Sequence, residues 1–106
     1  MSLDFYLEID DKIVFDANIT HNLGKMADAA NLYRVLWRPD ELGFTTAKEC
    51  IDLISIGLAD LVRNKAKYKA YDSANGWGIY EHFVPFVIDV LAACKEFPNA
   101  KVTVSR

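Results

Sequence analysis

Cysteine, histidine and proline are scarce in this chain of 106 residues, which has two, two and three of them. Cys50 and Cys94 fall on apolar helical faces, and neither belongs to a CxxC or Cys/His spacing. No zinc site or disulfide framework is therefore expected, only buried free thiols. His21 and His82 form no HExxH or His-x-His pairing, so neither a metal nor another cofactor is expected. An excess of basic charge is lacking too: Lys plus Arg number 12 against 15 acids, a net charge of −3. That balance argues against general nucleic-acid binding, which needs a concentrated basic surface. The basic run Arg63, Lys65, Lys67, Lys69 reads as a solvated, fraying helix end, where cations favour the negative pole of the helix.

Long hydrophobic runs are absent, and Met1–Phe5 carries no basic region or apolar core of a secretory signal. A cytoplasmic protein with no membrane partner is the expectation, and the sequon Asn18-Ile19-Thr20 then reads as empty. Catalytic signatures are missing as well. Ser55, Ser73 and the two cysteines lie in no nucleophile elbow or Cys/His motif, and no Gly-rich phosphate loop is present.

What is present is a globular composition, 52% hydrophobic and 12% aromatic. A chain of this length forms one domain and buries roughly 65% of its unfolded surface without needing metal or disulfides. The apolar content leaves surface for a partner or a second copy, so a homo-oligomer is one expectation.

Leu3, Phe5, Leu7 and Ile9 alternate with Asp4, Tyr6 and Glu8, the period of a half-buried strand. Asp10-Asp11-Lys12 is a polar turn and Ile13-Val14-Phe15 a second strand, making a hairpin. Two strands are marginal alone, and Ala100–Ser105 is the candidate third. Thr20 is a good N-cap for a first helix whose stripe is Leu23, Met26, Ala27, Ala30, Tyr33 and Trp37, ended by Pro39. Gly24 costs that helix up to ~1 kcal/mol against alanine, which points to close packing there. Thr46-Ala47-Lys48-Glu49 is a capping box opening the second helix, with Cys50, Leu53, Ile54, Gly57, Leu58, Leu61 and Val62 as its stripe. Gly57 is expected to lie close against a neighbour. The third helix, buried through Phe83, Val87, Val90, Leu91 and Cys94, runs to about Phe97. Pro85 fits either the first turn of a helix starting near Phe83 or a kink in one starting near Ile79. The fold class is thus α+β: three amphipathic helices packed on a small antiparallel sheet of N-terminal hairpin and C-terminal strand.

Three places could hold a ligand. In Asn75-Gly76-Trp77-Gly78-Ile79-Tyr80-Glu81-His82 the glycines free the backbone to present Trp77 at a fixed angle. A phenol, a carboxylate and an imidazole follow within one helical turn. Trp77 would stack on a planar group while Asn75, Tyr80, Glu81 and His82 read its edges. Core packing of Trp77 is the slightly preferred alternative. His21 and Asn22, after Thr20, sit where free N–H groups and the helix dipole suit an anion, against plain capping. Arg38, in Leu36-Trp37-Arg38-Pro39, could clamp a phosphate or carboxylate, although a helix C-terminus favours arginine anyway. Glu81 and His82 as an acid–base pair is a minority reading, since adjacent helical residues diverge by about 100°.

Taken together, the segments Ile19–Ala27, Leu36–Pro39, Asn75–Phe83 and Val104-Ser105-Arg106 resemble a group of small uncharacterised proteins encoded by bacteriophages and prophages. The resemblance spans the chain from about residue 17 onward. Members of that group carry a longer N-terminal hairpin than the Asp10-Asp11-Lys12 turn allows here. The resemblance brings no catalytic activity with it. It implies an accessory protein of the host cytosol, non-enzymatic, that binds a small nucleotide-like ligand and so sequesters a host immune signal. Trp77 and Tyr80 would stack, and Arg38, His21 and Asn22 would read an anion or a base edge. The alternative is a protein–protein interaction module that inhibits a host protein or plays a structural part.

Overall fold

The computed structural model describes residues 1–106. Strands β1 (Ser2–Ile9) and β2 (Lys12–Thr20) form the expected antiparallel hairpin. Asp10 and Asp11 close it at φ 52° and 64°. Two consecutive positive φ values make a primed turn, whose twist matches that of the flanking strands, and aspartate tolerates this region better than most residues. Strand β2 outruns the expected Ile13–Phe15 segment, since Phe15, Ala17 and Ile19 alternate with Asp16, Asn18 and Thr20 and pair on along β1, past a bulge. Leu7 pairs with Phe15 but Glu8 with Ile13, leaving Val14 without a partner. One extra residue shifts the period of two at Val14, and the alternation resumes beyond it.

Strand β3 (Lys101–Ser105) pairs antiparallel with the other edge of β1, giving the order β2-β1-β3. The α+β class and the C-terminal third strand are therefore as read from sequence. Leu3, Phe5 and Leu7 of the central strand are fully buried. Burial of each such side chain is worth about 1.5–3 kcal/mol. Across the opposite, polar face Asn18 donates to Asp4 (2.7 Å) and Ser2 (2.9 Å), and Thr103 donates to Glu8 (2.6 Å).

The first helix differs from expectation. Residues His21–Leu23 form a 3-10 turn, α1 spans Gly24–Ala29, and a separate α2 spans Tyr33–Trp37. Between them Asn31 is left-handed at φ 59°. Leu32 N–H donates to Ala27 O (2.7 Å) and Asn31 N–H to Asp28 O (3.0 Å), the paired bonds of a Schellman stop. The apolar stripe continues across the stop, so its periodicity conceals the break. Gly24 is in ordinary contact, since an added Cβ would lie 3.7 Å from the Tyr33 ring, and the close packing expected there is absent.

Helix α3 (Ala47–Arg63) packs against α5 (Tyr80–Glu96). Cys50, Ile54, Gly57 and Leu61 are buried, but Val62, expected in the stripe, is exposed. Leu32 sits against Gly57, so the close approach expected there is real. Burial pushes the Cys50 thiol up to about 12 and that of Cys94 up to about 11, so both are poor nucleophiles. A short helix α4 (Lys65–Lys69) follows. Its cations are less loosely solvated than expected: Lys65 lies over Tyr80, Lys67 over Tyr68, and Lys69 pairs with Glu81 and Asp72. Helix α5 takes the longer of the two options, with Ile79 as N-cap and Pro85 inside. Pro85 is exposed, so water can serve the Glu81 carbonyl deprived of its donor. No helix is long and apolar enough to cross a membrane.

At the start of α3 the Glu49 carboxylate accepts from the N–H groups of Thr45 and Thr46 (both 2.9 Å) and from the Thr46 hydroxyl (2.9 Å). Those backbone donors, Thr45 first, hold its carboxyl down at about 2. A carboxyl depressed by folding stabilises the fold above its unfolded pKa, near 4.3, and loses that contribution as pH falls through the folded value. The melting temperature of wild type should accordingly exceed that of Glu49→Gln at pH 6. The gap should close between about pH 4.5 and 2; a gap constant over that range would mean that the charge plays no part.

Candidate functional site

The loop before α5 is tied down from both sides. Asn75 Oδ1 accepts from Trp77 N–H (3.0 Å) and from the Ser73 hydroxyl, while Ser73 N–H donates to Gly78 O (3.1 Å). Gly76 and Gly78 take φ of 77° and 100°, which side-chain-bearing residues avoid. Asp72 accepts from Tyr80 N–H (2.7 Å), fixing the junction with α5. From the other side, Asn22 Nδ2 donates to Trp77 O (3.0 Å), and the Cα of Gly78 lies so near Asn22 that no side chain would fit.

This hydrogen-bonded backbone carries Trp77, a residue 70% exposed. Core packing of Trp77, the preferred expectation, is thereby corrected: the loop docks through its main chain and Gly78, and the ring faces outward. The ring borders an open depression of about 700 Å3 lined by Met1, Ser2, Asn18, Thr20, His21, Asn22 and Asn75. A second depression of about 440 Å3 shares Trp77, Asn18 and Thr20 and adds His82.

A third depression, of about 340 Å3, is lined by His21, Tyr33, Trp37, Arg38 and Arg106, so His21 belongs to two of them. Trp37, at 2% exposure, organises this third space. Its Nε1–H donates to His21 Nδ1 (2.9 Å), its carbonyl accepts from Arg106 (3.0 Å), and its ring stacks on Tyr33 at 5.4 Å. The Tyr33 hydroxyl in turn accepts from Arg38 Nε (3.4 Å). Because His21 Nδ1 is an acceptor here, a neutral imidazole carries its proton on Nε2, which is left as a donor.

Of the residues expected to bind a ligand, His21, Asn22, Asn75 and Trp77 meet in one depression, with Arg38 and His82 in the two that adjoin it. Tyr80 and Glu81 do not join them. The Tyr80 ring is buried and its hydroxyl donates to Leu61 O (2.8 Å), so it offers no stacking face. Glu81 is held by Lys69, which keeps its carboxyl below the usual range. After Thr20 it is the plain capping weighed against an anion site that forms. His21 N–H donates to Met1 O (3.4 Å) and Asn22 N–H to Thr20 Oγ1 (3.3 Å). No three His, Cys, Asp or Glu side chains gather closely enough to hold a metal ion.

Ser2, Asn18, Tyr33 and Arg106 went unrecognised. Asn18 and Thr20 share one face of β2, a signal present in the alternation of Phe15–Thr20, whereas nothing local ties Arg106 to Trp37. No protein-family model matches the chain, and no curated protein or solved structure matches it.

Proposed function

We propose that the chain is a non-enzymatic binding protein that takes a small nucleotide-like ligand, its planar ring stacked on Trp77. The single observation behind this reading is a tryptophan whose backbone is held by hydrogen bonds on both sides of the loop while the residue remains 70% exposed. A fixed, exposed aromatic loses little conformational freedom on binding and gains the burial of its face. Asn18, Asn22, Asn75 and His21 supply donors and acceptors around it for a heteroaromatic edge. The resemblance to phage-encoded proteins supports sequestration of a host signal as the purpose of such binding.

Calorimetry with a panel of cyclic nucleotides and ADP-ribose derivatives tests the proposal. At least one should bind, and Trp77→Ala should weaken it by roughly 5- to 150-fold, the range for removing one stacking aromatic. Stability should stay within about 0.5 kcal/mol of wild type, because the ring is mostly in solvent. No binding across the panel would sink this reading. A second reading, a protein-binding module with Trp77 as anchor, is favoured by the exposed Ile56 and Val62 on α3 and Ile88 on α5. Loss of a captured partner protein on Trp77→Ala, without any nucleotide binding, would select it.

A further inference from the structure

Resting on the reading of Trp77 as a stacking surface, we infer that the ligand carries a phosphate, seated in the adjoining depression against Arg38 and Arg106. Arg106 is then a ligand-binding residue. The lining of that depression is one-sided. It consists of two arginines, a histidine, a tyrosine and a tryptophan, with no Asp or Glu among them, in a chain of net charge −3.

The acids that accompany the arginines lie outside the lining and orient them. Arg38 Nη1 binds Glu41 at 3.1 Å, and Arg106 engages Asp40 through Nη1 (3.1 Å) and Nη2 (3.4 Å). Both carboxylates are more exposed than the guanidinium each one holds. Arg38 donates otherwise only to Tyr33, and Arg106 only to the Trp37 carbonyl. Each guanidinium has five N–H donors, so both keep some free in a fixed orientation, as bidentate phosphate recognition requires.

His21 is the link between subsites, lining the Trp77 depression and the arginine depression alike. Trp37 fixes the imidazole and one guanidinium at once, through its indole N–H and its carbonyl. A ligand with a planar ring at one end and an anion at the other matches this division, and a nucleoside phosphate is that class of molecule.

The chain has two tryptophans, and each reports on one subsite. Trp77 borders the stacking surface, and the indole N–H of Trp37 is bonded to His21. In 15N-edited spectra, adenosine and guanosine should shift the Trp77 indole signal far more than that of Trp37, which they reach only through His21. AMP and GMP should shift both and bind about tenfold tighter than the nucleosides, the scale of one charge-assisted contact. Arg106→Gln, with Arg38→Gln as a second variant, should remove that advantage while nucleoside affinity persists. Inorganic phosphate alone should move the Trp37 signal, and should still do so in Trp77→Ala. Equal affinity for nucleoside and nucleotide, or a Trp37 signal indifferent to phosphate and nucleotide, overturns the phosphate subsite without touching the Trp77 reading. A silent Trp77 signal with a phosphate-responsive Trp37 removes the Trp77 reading and leaves the anion subsite standing.

Discussion

Gly57→Ala should lower the stability of the fold by about 2 kcal/mol, since overpacking a rigid contact costs 1–3 and the gain in helix propensity offsets only part of it. An added Cβ would stand 2.4 Å from both Cγ and Cδ2 of Leu32 and 3.0 Å from Ala30 O. Leu32 is fully buried, and the Schellman stop that delivers it is hydrogen-bonded, so neither side can yield cheaply. For a domain of this size the melting temperature should drop by roughly 10 °C. Gly24→Ala is the control, because its Cβ would meet only the Tyr33 ring at 3.7 Å. A double-mutant cycle with Leu32→Ala should recover at least about 1 kcal/mol relative to additivity. Strict additivity would show that the α3 approach is not what Leu32 limits.

Gly78→Ala is expected to cost about 3 kcal/mol and to release the Trp77 loop, combining left-handed strain of 1–2 with a steric clash. Its φ is 100°, and a Cβ would lie 2.9 Å from the Asn22 Cβ and 3.2 Å from Thr20 Cγ2. The clash falls on the neighbour whose amide holds the Trp77 carbonyl. Gly76→Ala separates the two terms. Its φ of 77° is equally unusual, yet nothing lies within 4 Å, so only about 1 kcal/mol of strain is expected. Denaturant titration of the two variants gives the difference. Broadening or displacement of the Trp77 indole resonance in Gly78→Ala alone would report the released loop. Equal losses for the two variants would refute the role assigned to Asn22.

The parts of the fold that were legible from sequence are those set by local chemistry. Alternation in Leu3–Ile9 announced the central strand, and the Thr46–Glu49 box announced the start of α3. The gap at Asn31 was not legible, because a left-handed asparagine followed by leucine keeps the helical spacing of its apolar neighbours. The site divides the same way. His21, Asn22 and Asn75 stood out by their positions beside a cap and a turn. The exposure of Trp77 could not be read locally, since it depends on Gly78 meeting Asn22 across the fold. Arg106 was invisible for a like reason, its partner Trp37 being distant in sequence.

The order β2-β1-β3 sets a sequence of events for folding. The hairpin can form from neighbouring residues alone, but the second edge of β1 waits for Glu8 to meet Lys101 and Asp4 to meet Ser105. Closing so long a loop is entropically slow compared with making the hairpin or the helices. Until that pairing forms, the central strand keeps one edge open, and the segment that seals it also brings Arg106 to Trp37. Completion of the sheet and assembly of the arginine depression are thus coupled, because Arg106 directly follows β3.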